Sequence, residues 1–194
     1  YLVRYKGWKG PVVRNICTTH MLDREAKAFG EECYEVPVGF KHISAKMQAT
    51  DAVIGGESSG GLTVRGHIHG QDGIYAAILL VEMISITGKK LSEIYRDVEK
   101  EFGEIHMEER SYKFSAEKKD YIHKILLEDK DLPELPYAID HVSYLDGCKV
   151  YFQNGGWLSA RFSGTEPLMR IFCEMDRLED AKRVCQVFES FLHL

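Results

Sequence analysis

Apolar residues along the first half of the chain switch between strand-like runs and helical spacing. Val12-Val13-Arg14-Asn15-Ile16-Cys17 reads as a β-strand. Leu22, Ala26 and Phe29 then recur at helical spacing, and Gly30 is placed to stop that helix. Cys33 to Val38 reads as the next strand, with Pro37 at its end, and Ala52 to Ile54 as a short buried one. Asp72 is placed as the N-cap of a helix bearing Ile74, Ala77, Ile78 and Val81, which Gly88 ends. Leu91, Tyr95, Val98 and Phe102 line a further helix that ends at Gly103. Leu2 and Tyr5 are expected to close an opening helix trimmed at the start of the chain. Strand–helix alternation of this kind argues for a parallel or mixed sheet with helices packed on it.

Beyond Gly103 the order changes. Ile105 to Phe114 reads as a strand. Ser115 is placed to cap a helix whose face carries Tyr121, Ile122, Ile125 and Leu126, and Pro133 and Pro136 then break the chain. Three strands are expected over Lys149 to Phe152, Trp157 to Phe162 and Leu168 to Met175, with a turn at Asn154-Gly155-Gly156. Ala181, Val184, Cys185, Phe188, Phe191 and Leu192 form a helical stripe, with Asp176 and Glu179 placed to cap it. The expected fold class is α/β. Residues 1–103 form an alternating domain with a mixed sheet. Residues 104–194 form a smaller α+β domain, an antiparallel sheet with helices on one face.

Composition narrows the function. A net charge of −5 argues against general nucleic-acid binding but leaves room for a local anion site. No apolar run is long enough to span a membrane, because Ile74 to Ile86 is too short and Glu82 interrupts it. There is no secretion signal, and the start at Tyr1 without methionine suggests a trimmed end. The cysteines number five and none forms a Cys-x-x-Cys, so neither a disulfide framework nor a zinc site is expected. Cys17, Cys173 and Cys185 sit in apolar patterns and read as core residues in a reducing cytoplasm. His67-x-His69 reads as a polar rim or plain surface rather than a metal pair.

Two loops carry chemistry. Arg161-Phe162-Ser163-Gly164-Thr165-Glu166-Pro167 places an arginine, two hydroxyls and a glycine in one turn. A guanidinium fork suits two phosphate oxygens, Ser163 and Thr165 can donate further bonds, and Gly164 lets the backbone approach an anion. Strand alternation sends Leu158, Ala160 and Phe162 one way, together with Met169, Ile171, Cys173 and Met175 on the neighbouring strand. Arg161 and Arg170 then point the other way, and Arg170 also reads as a solvated strand residue. The second loop is Gly55-Gly56-Glu57-Ser58-Ser59-Gly60-Gly61, after the apolar run Ala52-Val53-Ile54. A loop at the carboxyl edge of such a sheet is where open α/β folds bind ligands. Glu57 and Ser59, two residues apart, suit neighbouring sugar hydroxyls.

In this order the two loops resemble those of the α-D-phosphohexomutases, the phosphoglucomutase and phosphomannomutase family. The family's third domain carries a Gly-Glu-x-Ser-Gly loop, read here as Gly56 to Gly60, and its fourth an Arg-x-Ser-Gly-Thr-Glu-Pro loop, read here as Arg161 to Pro167. Val38-Gly39-Phe40-Lys41-His42-Ile43 is similar to the family's Thr-Gly-Phe-Lys segment, with Val38 in place of threonine. The resemblance implies sugar binding by Glu57, Ser59, Lys41 and Arg14. It implies phosphate binding by Arg161, Ser163, Gly164, Thr165 and Arg170.

The family's Ser-His-Asn-Pro segment and Asp-Gly-Asp-x-Asp-Arg metal loop are missing from this sequence. No catalytic residue and no metal site is therefore expected here. The resemblance implies the substrate-recognition half of a mutase that interconverts hexose 1-phosphate and hexose 6-phosphate through a bisphosphate intermediate. Mg2+ would belong to the full-length enzyme, and a hexose bisphosphate would be intermediate and activator. The partners implied are the hexose phosphate and the missing N-terminal domains, with no nucleic acid or membrane. The fragment alone is expected to be inactive, and the enzyme cytoplasmic. The other reading is a stand-alone phosphosugar-binding module without catalysis.

Overall fold

The computed structural model describes residues 1–164 and 168–194. They form two compact units, Tyr1–Gly103 and Glu104–Leu194.

The first unit is an α/β layer structure. Its strands are β1 (Val12–Asn15), β2 (Cys33–Val36), β3 (Ile54–Gly56) and β4 (Leu62–Val64), in the order β2-β1-β3-β4. β1 runs parallel to β2 and to β3, and β4 folds back antiparallel on β3. The helices are α1 (Met21–Ala28), α2 (Phe40–Thr50), α3 (Gly73–Thr87) and α4 (Leu91–Phe102). Alternation along β1 splits the core in two. Val13 packs with Val36, Ile43, Met47 and Ala52 on the α2 side. Val12 packs with Ala26 and Val53 on the α1 side.

Several elements depart from the expectations. α2 was not foreseen, since its buried stripe is only Ile43, Ser44 and Met47 and it opens straight from Gly39, whose φ is 123°. β3 starts two residues later than the apolar run, although the Val53 amide already donates to the Pro11 carbonyl at 2.8 Å and its carbonyl accepts from the Arg65 amide at 3.0 Å. The opening residues make only one turn, closed by the Tyr5 amide on the Tyr1 carbonyl. α3 forms with Asp72 as its cap, but Ile74, Ile78 and Val81 are exposed.

The second unit is an antiparallel sheet covered by helices on one face. Its strands are β5 (His106–Lys113), β6 (Ile139–Ser143), β7 (Cys148–Phe152), β8 (Trp157–Phe162) and β9 (Leu168–Met175), in the order β5-β9-β8-β7-β6. The helices are α5 (Ala116–His123), continued by a wider π-helical turn over Lys124–Asp129, and α6 (Leu178–Leu192). Ile122 and Leu126 join Val184, Cys185, Phe188 and Leu192 over Leu158, Ala160, Met169 and Ile171 in one core. β6 was not foreseen, because its pattern is too mixed to show in sequence. One expectation fails here. Asp176 does not cap α6, whose N-cap residue is Arg177 with no side-chain bond.

The opposite face of this sheet is not merely polar. Lys149, Trp157, Ser159 and Glu174 are all buried on it. Trp157 Nε1 donates to Glu174 Oε1 at 2.9 Å, and the Lys149 ammonium lies 4.1 Å from the Trp157 ring centre. A charge buried this way needs such partners.

Candidate functional site

The carboxyl ends of β1 and β3 carry a compact network centred on Glu57. The β3–β4 connection is a tight turn. The Gly60 amide donates to the Glu57 carbonyl, the Glu57 amide donates to the Gly61 carbonyl, and Gly60 has a φ of 94°. A left-handed conformation of this kind favours glycine. The turn leaves Ser59 exposed at its tip and Glu57 half-buried at its base.

Several donors hold the Glu57 carboxylate. Its Oε1 accepts from the Gly39 amide at 3.1 Å and from Asn15 Nδ2 at 3.3 Å. Its Oε2 accepts from Gln71 Nε2 at 3.0 Å. Asn15 is itself fixed, because its Oδ1 accepts from the Cys17 amide and the Thr18 hydroxyl, each at 2.9 Å. That pattern settles which end of the amide faces Glu57. Thr18 Oγ1 in turn accepts from the Ser58 amide at 3.1 Å, tying the glycine loop to the turn after β1. The carboxylate therefore sits at the head of α2, where the helix dipole favours negative charge.

Lys41 lies exposed in the first turn of α2. Arg14 is placed differently from an open cleft cation. It is only 3% exposed. Its Nε and Nη2 donate to Asp23 at 2.6 and 2.9 Å, and its Nη1 donates to Glu35 at 2.5 Å. A buried guanidinium must be paired in this way. Its Nη1 also reaches the Asn15 carbonyl at 3.3 Å, so Arg14 braces the strand end that presents Asn15. Sequence reasoning missed Asn15, Thr18 and Gln71, because amides and hydroxyls become conspicuous only once a fold brings them to one carboxylate.

His67 and His69 follow β4. His67 Nε2 pairs with Asp72 Oδ2 at 2.9 Å, and its ring stacks on Tyr75 at 4.0 Å. The His69 carbonyl accepts from Ser44 Oγ at 2.9 Å. Among the described residues no group of three or more His, Cys, Asp or Glu side chains could hold a metal ion. The residues described here do not fit a magnesium site.

In the second unit, β8 and β9 form the arms of a hairpin, closed by the Ser163 amide on the Leu168 carbonyl at 2.8 Å. Arg161 and Arg170 stand directly opposite each other across the two strands. Arg161 lies mostly buried, with its Nε 3.4 Å from Asp146 Oδ2 and outside hydrogen-bond geometry. Gly147, at a φ of 87°, presses on this strand: a Cβ there would lie 2.5 Å from the Ala160 carbonyl oxygen and 2.8 Å from Arg161 Cβ. The Asp146-Gly147 turn thus holds the guanidinium from one side, a role the sequence did not reveal. Arg170 is partly exposed, 4.0 Å from Glu109. Gly164 is exposed, and Thr165 lies outside the described residues.

Comparison with known proteins agrees with both units. Residues 1–102 match the family model described as phosphoglucomutase/phosphomannomutase, alpha/beta/alpha domain III. Residues 93–190 match that of the phosphoglucomutase/phosphomannomutase C-terminal domain. A phosphoglucomutase/phosphomannomutase of Thermococcus kodakarensis is 31% identical over 92% of this chain and 37% of its own length. A phosphomannomutase of Mycoplasma genitalium is 27% identical over 100% of this chain and 40% of its own. A crystal structure from Thermus thermophilus, assigned as a phosphomannomutase, superposes with a TM-score of 0.75 at 28% identity, covering 97% of this chain and 38% of that one. An N-acetylphosphoglucosamine mutase of Aspergillus fumigatus, solved with GlcNAc-6P and magnesium, shares the fold at a TM-score of 0.61, 12% identity, and coverage of 98% and 44%. The chain spans 37% to 40% of the length of the two curated relatives named here. With its two units matched in order by two consecutive domains of one family, the chain belongs to the phosphoglucomutase/phosphomannomutase family, the α-D-phosphohexomutases.

Proposed function

We propose that this chain is the substrate-recognition half of a phosphohexomutase that interconverts hexose 1-phosphate and hexose 6-phosphate. Glu57 and Ser59 read sugar hydroxyls, and Lys41 adds positive charge beside them. Arg14 acts from beneath, by holding Asn15. Arg161, Ser163, Gly164 and Thr165 hold a phosphate, with Arg170 on the neighbouring strand. The observation that carries this reading is the Glu57 carboxylate, presented at the carboxyl edge of a sheet by donors from three separate segments. Such a group accepts hydrogen bonds from hydroxyls without moving, which is the positioning that phosphoryl transfer needs.

In the complete protein a phosphorylated serine outside this chain gives its phosphoryl group to one hydroxyl of the sugar. The bisphosphate then turns, and its other phosphoryl group returns to the serine. The sugar must be read in two orientations, and adjacent hydroxyls that exchange places meet the same carboxylate in both. The serine and the magnesium ion belong to that remainder of a cytoplasmic enzyme. A coupled assay of glucose 1-phosphate conversion tests the reading. The complete protein is expected to turn over and the 194-residue chain alone is not. Turnover by the chain alone would refute the division of labour. Binding without turnover by the complete protein would favour a phosphosugar-binding module.

A further inference from the structure

We propose that Gln71 is a positioning and specificity-determining residue for the sugar site, and that residue 61 is glycine to make room for it. The inference rests on the reading of Glu57 as the hydroxyl-binding carboxylate.

The two carboxylate oxygens are held unequally. Oε1 is engaged by the Gly39 amide and by Asn15 Nδ2, from the head of α2 and the end of β1. Oε2 has a single donor among the described residues, Gln71 Nε2 at 3.0 Å. An ionised carboxylate oxygen accepts two bonds, so Oε2 keeps one lone pair for a ligand hydroxyl, and Gln71 sets its direction. The Gln71 amide oxygen, geminal to the donating nitrogen, is then a second acceptor beside the first. Carboxylate and amide together make an edge that can take two hydroxyls. Which sugar epimer fits depends on where that edge points.

The backbone of Gln71 is fixed on both sides. Ser44 Oγ donates to the His69 carbonyl two residues before it. Asp72, the next residue, caps α3 by accepting from the Ile74 and Tyr75 amides. The side chain then lies across Gly61. A Cβ built on Gly61 would fall 2.2 Å from Gln71 Nε2, 2.5 Å from its Cδ and 2.8 Å from its Cγ. The clash involves only the far end of a flexible side chain. Gly61 also has no left-handed backbone conformation that would exclude alanine. A methyl group at residue 61 therefore displaces the Gln71 amide and leaves the fold standing. Gly61 and Gln71 form one device, the absent side chain making the space the amide occupies.

The experiment compares Gln71→Ala, Gly61→Ala and the double variant in the complete protein, with glucose 1-phosphate and mannose 1-phosphate as substrates. Each single variant is expected to lower kcat/KM by about tenfold, the scale of one hydrogen bond to a charged group. Each should also change the ratio of kcat/KM between the two sugars, which a merely structural role would not move. The double variant should be no worse than the poorer single one, because both remove the same contact. Parental kcat/KM and parental sugar ratio in Gln71→Ala would overturn the proposal, as would additive losses in the double variant. Should Gly61→Ala unfold, the sugar ratio of Gln71→Ala alone decides. Glu57→Gln serves as the control. If it lowers kcat/KM while Gln71→Ala does not, the sugar reading of Glu57 stands and the role of Gln71 falls. If Glu57→Gln is also silent, both fall together.

Discussion

The Gly39 amide donates to Oε1 of Glu57 across 3.1 Å. That bond joins the Gly-Phe-Lys segment to the carboxylate loop, two motifs eighteen positions apart. It also puts a glycine with a φ of 123° where helix α2 begins, a backbone shape that side-chain-bearing residues rarely adopt. The side chain of Glu57 is thereby fixed against the start of the helix.

Glu57→Gln keeps the shape of this side chain and removes its charge. The new amide would have to turn one NH2 group toward donors already in place at Asn15, Gly39 or Gln71. In the complete enzyme the substitution is expected to weaken transition-state binding of hexose phosphates by about 1–3 kcal/mol, read as a loss in kcat/KM. Inorganic phosphate binding should be unchanged. A parental kcat/KM would remove Glu57 from the site.

Gly55→Ala tests how α2 is seated. A Cβ on Gly55 would lie 2.4 Å from Met47 Sδ and 2.5 Å from Ile43 Cγ2, both in the core beneath α2. Overpacking of this kind costs about 1–3 kcal/mol. The midpoint of denaturant unfolding should fall accordingly. If it does not, α2 can slide on β3 without cost, and the Gly39 contact to Glu57 is less firmly placed than its geometry implies.

The sequence made the layer plan of both units legible, because strand runs, helical stripes and glycine stops alternate clearly in residues such as Val12, Ala26 and Gly88. Asp72 was identifiable as a helix cap from its position alone, and its side chain does accept from the Ile74 and Tyr75 amides. α2 was not legible. Its buried face consists of Ile43, Ser44 and Met47, with Lys41, Lys46 and Gln48 around them, too sparse a stripe to stand out. Glu57 could be singled out by its glycine-rich context. Its partners could not, since Asn15, Gly39 and Gln71 are distant in sequence and meet only through the parallel crossover. Arg14 looked like a cation for a cleft because strand position does not show that Asp23 and Glu35 will close around it.

Asp72 gives a signed pH prediction. The Tyr75 amide, with His67 and the Ile74 amide, holds its carboxyl below the usual carboxylate range. A depressed folded-state value contributes stability that is present above the ordinary carboxylate pKa and lost as pH falls through the lower folded value. Thermal melts recorded from neutral pH down through that range should show the parent losing stability more steeply than Asp72→Ala. Parallel curves would mean that the cap carries no linked charge.

Arg161 is expected to anchor the phosphate. It stands at the end of β8, opposite Arg170 and beside the exposed Gly164, with its Nε turned toward Asp146. Its side chain is not part of the core formed by Leu158, Ala160 and Phe188, so its removal should spare the fold. In an NMR titration of the chain with glucose 6-phosphate, the amides of Ser163 and Gly164 should shift. Arg161→Ala should abolish those shifts while the dispersed spectrum of the folded protein survives. Arg161→Lys should restore only part of them, because an ammonium keeps the charge but cannot hold two phosphate oxygens in one plane. Full restoration by lysine would show that charge alone suffices and that the guanidinium fork is not used. Shifts confined to other residues would place the phosphate elsewhere and leave Arg161 as a partner of Asp146 only.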